Sequence, residues 1–169
     1  MAFYDSLTQL PNRTFLMQRL EEALKQQHIY PHAQFALFYL DCDGFKEIND
    51  SFGHAVGDEL LMAISQRLKG AVRQNDLIAR LGGDEFVILL PNIANSQITL
   101  TIAERIVESF KFPFTIQNQD VFISFSVGII LDLSAYCDPH QVLNHADRTM
   151  YQAKLSGKAC YHILGYSCD

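Results

Sequence analysis

Apolar residues recur along the chain with the two periods that distinguish helices from strands. Spacings of three and four residues predict about four helices, because such positions share one face of a helix. The expected starts are Pro11-Asn12, Gly57-Asp58 just before the second helix, Asn95 or Ser96, and Asp138-Pro139. Asn, Ser and Asp are good N-caps, and proline suits the first helical position. The last helix should end near Gly157.

Short apolar runs and alternating positions predict strands between these helices. They cover residues 35–40, 76–80, 85–90, 121–127 and 160–164. Gly82-Gly83 separates the second from the third, and a Gly-Gly pair favours a two-residue hairpin turn because such turns need positive φ. The chain is therefore expected to be a mixed α/β sandwich whose sheet is not wholly parallel.

Length and composition predict one soluble domain over residues 1–169, of which 49% are apolar and 19% charged. A net charge of −6 and a pI near 5.4 argue against a nucleic-acid partner. The longest apolar run, residues 35–40, is far short of the roughly 20 residues of a spanning helix, so no membrane segment is expected. The four cysteines form no C-x-x-C pair, which favours reduced thiols over a zinc site.

Two acidic clusters next to strands are candidates for a metal site. They are Asp41-Cys42-Asp43 and Asp84-Glu85. If the two segments converge, carboxylates about 5 Å apart repel by roughly 3 kcal/mol at an effective dielectric near 20. A divalent cation removes that repulsion, and Mg²⁺ prefers carboxylates, water and phosphates. Solvated turn residues are the alternative, and for Asp43 alone that alternative is favoured.

Further polar residues have both a functional and an ordinary structural interpretation. Asp58 suits the guanine edge, which offers two N–H donors that adenine lacks, but it also suits the first turn of a helix. Lys46, Lys154 and Lys158 are candidate phosphate ligands, and the last two are equally ordinary near a helix C-terminus. Arg73 and Asp76 suit a phosphate and a guanine edge, or an exposed helix end with its cap.

Taken together, these segments resemble the GGDEF-domain family, whose usual members are diguanylate cyclases. Residues 80–86 read RLGGDEF, and further blocks occur in family order between residues 5 and 158. They are DSLTQLPNR at 5–13, DCDGFKEIND at 41–50, GHAVGD at 53–58, SVG at 126–128, AD at 146–147 and YQAK at 151–154, followed by Gly157-Lys158. The resemblance covers about nine tenths of the chain.

The resemblance implies a palm-like α+β fold with a central, mostly antiparallel sheet flanked by helices. It also implies condensation of two GTP molecules into cyclic di-GMP, with release of two pyrophosphates. Asp41, Asp84 and Glu85 would be catalytic; Asp41, Asp84 and the backbone carbonyl of Cys42 would hold Mg²⁺ or Mn²⁺, with Glu85 near the ribose. The GTP-binding residues would be Asn49 and Asp58 for guanine, Lys46, Lys154, Lys158, Gly44 and Phe45 for the phosphates, and Gly82 and Gly83 beneath the nucleotide.

The family pattern also implies partners and regulation. Two domains would form a homodimer, because each half-site holds one GTP. Arg73 and Asp76, with Arg105 as a second arginine, match an inhibitory site for cyclic di-GMP. We further expect the domain to belong to a larger cytoplasmic signalling protein, with a membrane anchor of that parent left open. The alternative is a catalytically silent domain that binds GTP or cyclic di-GMP to regulate an attached phosphodiesterase or other effector domain.

Overall fold

The computed structural model of the protein describes residues 2–165. Five helices and seven strands alternate along this part of the chain. The helices are α1 (Arg13–Ile29), α2 (Phe45–Phe52), α3 (His54–Ala71), α4 (Ser96–Ser109) and α5 (Pro139–Leu155). The strands are β1 (Gln34–Asp43), β2 (Leu77–Gly82), β3 (Glu85–Ile93), β4 (Phe114–Ile116), β5 (Gln119–Val121), β6 (Ser124–Ile130) and β7 (Tyr161–Ile163).

Five of these strands form one central sheet in the order β2-β3-β1-β6-β7. The pairs β2–β3, β3–β1 and β1–β6 are antiparallel, and β6–β7 is parallel. Strands β4 and β5 make a separate two-stranded hairpin. The predicted α+β architecture with a mostly antiparallel sheet is confirmed.

Both faces of the central sheet are buried, which makes β1 apolar at consecutive positions. Phe38 and Leu40 point into the core that α3 and α4 cover. Leu37 and Tyr39 point into the second core, beneath α1 and α5. Successive strand residues point to opposite faces of the sheet. A strand that is buried on both faces therefore shows no alternation of polar and apolar residues. This arrangement leaves only the ends of β1 for polar chemistry.

Three helices begin at the predicted caps. Asn12 accepts a hydrogen bond from the Phe15 amide, Asn95 caps α4, and Asp138 caps α5 ahead of Pro139. Helix α5 then crosses β6 so closely that a Cβ on Gly128 would overlap the backbone of Met150 and Ala146. Glycine at this position therefore sets how near α5 lies to the sheet.

The structure corrects the sequence prediction at several places, and α3 begins at His54, ahead of the predicted Gly57-Asp58. Helix α2 was missed, because only Ile48 of its eight residues is buried and the apolar period is too short to detect. The predicted strand 121–127 breaks at Phe122 and Ile123, so that β5 pairs with β4 while β6 joins the main sheet. The hairpin loop is Gly83-Asp84, not Gly82-Gly83, since Gly82 pairs with Glu85.

Candidate active site

The predicted acidic residues converge at one edge of the central sheet. Asp41 stands opposite Glu85 of β3 on one side and opposite Ser126 of β6 on the other. The Cys42 amide donates a hydrogen bond to the Asp84 carbonyl oxygen at 3.3 Å, which fixes the turn against the end of β1. The expected convergence of the two clusters is therefore present in the fold.

The carboxylate of Asp84 lies close enough to Asp41 to perturb it. Burial and then the neighbouring Asp84 raise the pKa of Asp41 to about 7, although Lys154 opposes this shift. Two such groups favour a shared proton or a bound cation, because either removes the repulsion between them. Within residues 2–165, no three His, Cys, Asp or Glu side chains form a cluster that could hold a metal ion. The metal site that the family resemblance implies also includes a backbone ligand.

Cys42 offers such a ligand through its backbone. Its side chain is buried in the α3/α4 core, and burial raises the pKa of the thiol. Its carbonyl oxygen accepts a hydrogen bond from Lys154 Nζ at 3.1 Å. The fold therefore keeps the sulfur in the core and leaves the Cys42 carbonyl oxygen at the acidic edge.

Lys154, in the last turn of α5, already supplies positive charge at this site. Its Nζ lies 3.6 Å from Asp41 Oδ2 and 3.2 Å from Asp43 Oδ1. The residue predicted to bind phosphate thus contacts carboxylates in the structure. An ammonium held by two carboxylates and a carbonyl marks the position as one that favours a cation.

The interpretation of Asp43 as a solvated turn residue is wrong. Strand β1 continues through Asp43, whose carboxylate is almost fully buried. It accepts hydrogen bonds from the hydroxyls of Ser124 and Ser126, each at 2.6 Å, and from the Ala159 amide at 3.0 Å. Burial alone would raise the pKa of Asp43, but these bonds and Lys154 lower it. Asp43 therefore anchors β6, α5 and the segment after α5 to one another.

Glu85 has a partner that the sequence did not reveal. The Tyr39 hydroxyl, two residues before Asp41 on the same strand face, donates to Glu85 Oε2 at 2.7 Å. Asp147 of α5 is also near, since burial and then Glu85 raise the pKa of Asp147. The Tyr39 hydroxyl thus holds the Glu85 carboxylate, and the Asp147 carboxyl group lies close to it.

The turn that carries Asp84 is tied to the start of the domain. Arg80 donates to the Gly83 carbonyl oxygen through Nε at 3.0 Å and Nη2 at 2.9 Å. Its Nη1 contacts both carboxylate oxygens of Asp5, at 2.9 and 3.1 Å. Burial would raise the pKa of Asp5, but hydrogen bonds from Thr8 and Arg80 lower it.

The candidate guanine ligands lie on adjoining helices, Asn49 on α2 and Asp58 on α3. Helix α3 begins at His54 with Gly53 as its cap, so Asp58 lies beyond the first turn and the first-turn interpretation is wrong. A Cβ on Gly57 would overlap the Asn49 side chain, so glycine at this position leaves room for that amide. The sequence reasoning missed this contact between Gly57 and a predicted site residue.

The candidate phosphate ligands occupy two places around the acidic edge. Gly44, at φ +79°, turns the chain out of β1 and caps α2, whose first residues are Phe45 and Lys46. Lys46 and Lys158 are exposed, and Lys158 follows the end of α5 with a left-handed backbone. In the hairpin, Gly82 and Gly83 both have positive φ and no atom within 4 Å of a would-be Cβ, which leaves open space above the turn.

The predicted inhibitory residues lie away from this edge. Arg73 pairs with Asp76 at 2.7 Å and also donates to the Pro91 carbonyl oxygen at 2.7 Å. Arg73 and Arg105 line one cavity of about 430 Å³, together with Asn95, Gln97, Ile98, Thr101 and Ile102. The fold brings the two arginines to one cavity and holds Asp76 against the first of them.

Comparison with known proteins identifies the class that this fold and site define. The sequence profile of the family "Diguanylate cyclase, GGDEF domain" matches residues 2–160. The chain belongs to the GGDEF-domain family. No helix within residues 2–165 has the length and apolar character needed to cross a membrane.

Individual relatives agree with this assignment. The bifunctional diguanylate cyclase/cyclic di-GMP phosphodiesterase MucR of Pseudomonas aeruginosa is 42% identical over 95% of this chain and 23% of its own length. The GGDEF domain of TpbB from the same organism superposes with a TM-score of 0.90 at 40% identity, covering 95% of this chain and 93% of that one. The GGDEF domain of DgcB from Caulobacter crescentus, solved with c-di-GMP, has a TM-score of 0.87 at 27% identity, covering 98% and 95%. The chain spans 21–35% of the length of the first curated relatives it matches.

Proposed function

We propose that this chain is an active diguanylate cyclase domain. It would condense two GTP molecules into cyclic di-GMP, each ribose 3′-oxygen forming a bond to the α-phosphorus of the other nucleotide as pyrophosphate leaves. The observation that carries the proposal is the convergence of Asp41, Asp84 and Glu85 at one sheet edge, with Asp41 at a pKa of about 7. A structural role does not account for this cluster, because repulsion between partly buried carboxylates destabilises the fold.

The residues at this edge fit a divalent cation. Asp41, Asp84 and the Cys42 carbonyl are hard oxygen ligands, which Mg²⁺ and Mn²⁺ accept. When bound, the cation would stabilise the negative charge that develops on the phosphate oxygens. We place Mg²⁺ or Mn²⁺ with these three groups and assign no general base.

The chain's own residues would mainly bind and orient the nucleotide. Asn49 and Asp58 would hold guanine, and Lys46 and Lys158 would bind the terminal phosphates from their exposed positions. Lys154, which contacts Asp41 and Asp43, would bind a phosphate oxygen of the nucleotide. Positioning of this kind accounts for most of the catalysis in phosphoryl transfer. One domain binds one GTP, so the reaction requires a two-fold dimer.

A product assay tests the proposal. Concentrated protein, freed of bound cyclic di-GMP, is incubated with GTP and Mg²⁺, and the nucleotides are identified by mass spectrometry. Cyclic di-GMP is expected from the wild type and none from Asp84→Ala; EDTA should stop the reaction and Mn²⁺ restore it. A wild-type protein that binds GTP and dimerises in the assay but forms no product would contradict the proposal.

We also propose that cyclic di-GMP inhibits the enzyme at the cavity of Arg73 and Arg105. Two guanidinium groups beside one cavity suit a ligand with two phosphates. The Arg73–Asp76 pair would open to admit the ligand, which frees Asp76 to accept from a guanine edge. Arg73→Ala should relieve non-competitive inhibition without changing the initial rate, and unchanged inhibition would refute this assignment.

A silent regulatory domain is the second candidate. This chain matches less than a quarter of the length of the bifunctional relative MucR. That partial match supports a parent protein with further attached domains. We place that parent's GGDEF domain in the cytoplasm, where GTP is available. The two candidates differ in one measurement, because a silent domain binds GTP or cyclic di-GMP at equilibrium yet leaves GTP unconverted.

A further inference from the structure

Tyr39 is the one polar residue in the middle of the central strand. It lies on the face of β1 that α1 and α5 cover, in line with Phe35 and Leu37. Only 5% of Tyr39 is exposed, yet its hydroxyl lies 2.7 Å from Glu85 Oε2. A buried tyrosine needs a partner for its hydroxyl, and here that partner is the signature glutamate at the active-site edge.

The direction of this hydrogen bond follows from the surroundings. A carboxylate oxygen accepts hydrogen bonds, so the Tyr39 hydroxyl is the donor and Glu85 Oε2 the acceptor. Within residues 2–165, Tyr39 is the only hydrogen-bond donor to the Glu85 carboxylate. Asp147 lies near both Tyr39 and Glu85, and its like charge repels the Glu85 carboxylate. Tyr39 therefore decides where the Glu85 side chain points.

We propose that Tyr39 is a positioning residue that holds Glu85 for the nucleotide. The hydroxyl occupies Oε2 and leaves Oε1 of Glu85 for the substrate. This inference rests on the proposed cyclase function for its catalytic consequence. The rest of the Tyr39 ring packs as a core residue, so only the hydroxyl carries the proposed role.

Tyr39→Phe tests the role of that hydroxyl, and Tyr136→Phe is the matched control. Tyr136 is 7% exposed, packs in the same core and shares a hydrogen bond with His145 Nδ1 at 2.8 Å instead of with Glu85. Tyr39→Phe should lower kcat about ten-fold, as loss of an orienting partner does, while KM for GTP and the Mg²⁺ requirement stay within about two-fold. Tyr136→Phe should keep the wild-type kcat.

A double-mutant cycle in unfolding tests the contact itself, whatever the activity. Tyr39→Phe, Glu85→Ala and the double variant are compared by urea denaturation. The unfolding constants should show a coupling of about five-fold or more, because each single variant already removes the same bond. A coupling below two-fold, or a Tyr39→Phe enzyme with the wild-type kcat, would overturn the proposal. A wild-type protein that forms no cyclic di-GMP, with the coupling intact, would refute the cyclase function and leave the contact established.

Discussion

Replacing Arg80 with methionine should destabilise the domain much more than loss of an exposed ion pair of similar length. Arg80 joins Asp5, at the start of the domain, to the carbonyl of Gly83 in the turn that carries Asp84. The Arg80 and Asp5 side chains are only 13% and 17% exposed. Methionine keeps most of the aliphatic length and removes the guanidinium.

The magnitude follows from what Arg80→Met leaves behind. Breaking a fully buried ion pair costs about 3–5 kcal/mol, because one charge stays buried without compensation. Asp5 keeps hydrogen bonds from the Thr8 amide at 2.8 Å and the Thr8 hydroxyl at 2.7 Å. The Gly83 carbonyl lies in an exposed turn, where water replaces Arg80. The expected loss is therefore about 2–3 kcal/mol, below the fully buried limit.

Urea denaturation of both variants at pH 7 provides the measurement. Lys111→Met is the control, since Lys111 and Glu108 lie 2.7 Å apart, against 2.9 Å for Arg80 and Asp5, but are 66% and 65% exposed. Such pairs contribute about 0–1 kcal/mol. If Arg80→Met costs no more than Lys111→Met, burial does not set the strength of this contact and the reasoning fails.

Two glycine substitutions test close approaches in the fold. Gly57→Ala should displace the Asn49 amide and raise KM for GTP about ten-fold with little loss of stability, because a flexible side chain yields rather than backbone. An unchanged KM for GTP would contradict the proposed role of Asn49 in binding guanine. Gly128→Ala should cost about 3 kcal/mol or more, since its Cβ would meet the backbone of α5. Gly70→Ala, in open space on α3, is the control and should stabilise by about 0.5–1 kcal/mol, and equal effects on unfolding would contradict the packing argument.

Periodic elements with strong caps could be predicted from the sequence, and short or locally decided ones could not. Helices α1, α4 and α5 begin at the polar residues expected, because caps act through neighbouring amides. Helix α2 depends on the left-handed Gly44 and on packing against α3, which no local period records. The break at Phe122 is likewise a tertiary effect, since the alternation continues through it in sequence.

The candidate site shows the same division. Convergence of Asp41 with Asp84-Glu85 could be expected from their positions next to strands, and the fold brings them together. The partners of these residues could not be predicted, because Tyr39, Gly57 and Ser126 are ordinary strand or helix residues whose role comes from contacts distant in the chain.

Asp41 and Asp43 share one strand face, yet their surroundings give them opposite effects on stability. Asp43 has donors on both carboxylate oxygens and a lowered pKa, whereas Asp41 faces Asp84 and has a pKa of about 7. A carboxyl whose pKa is raised in the folded state weakens folding as pH rises from the unfolded value near 4 toward 7. The sequence alone does not distinguish the effects of Asp41 and Asp43 on stability. The hydrogen-bond donors and the like charges around each carboxylate in the fold do distinguish them.

The difference predicts that a site residue can be removed with a gain in stability. In EDTA at pH 8, Asp41→Asn should raise the unfolding free energy by about 2 kcal/mol, since it removes repulsion in a partly solvated site. The gain should shrink toward pH 5, where Asp41 is already protonated. Asp43→Asn should instead destabilise at both pH values, because an amide cannot accept all of the hydrogen bonds that Asp43 accepts. Urea denaturation provides the measurement. A loss of stability for Asp41→Asn at pH 8 would show that the carboxylates at this edge do not repel each other, and would remove the main argument for a metal site there.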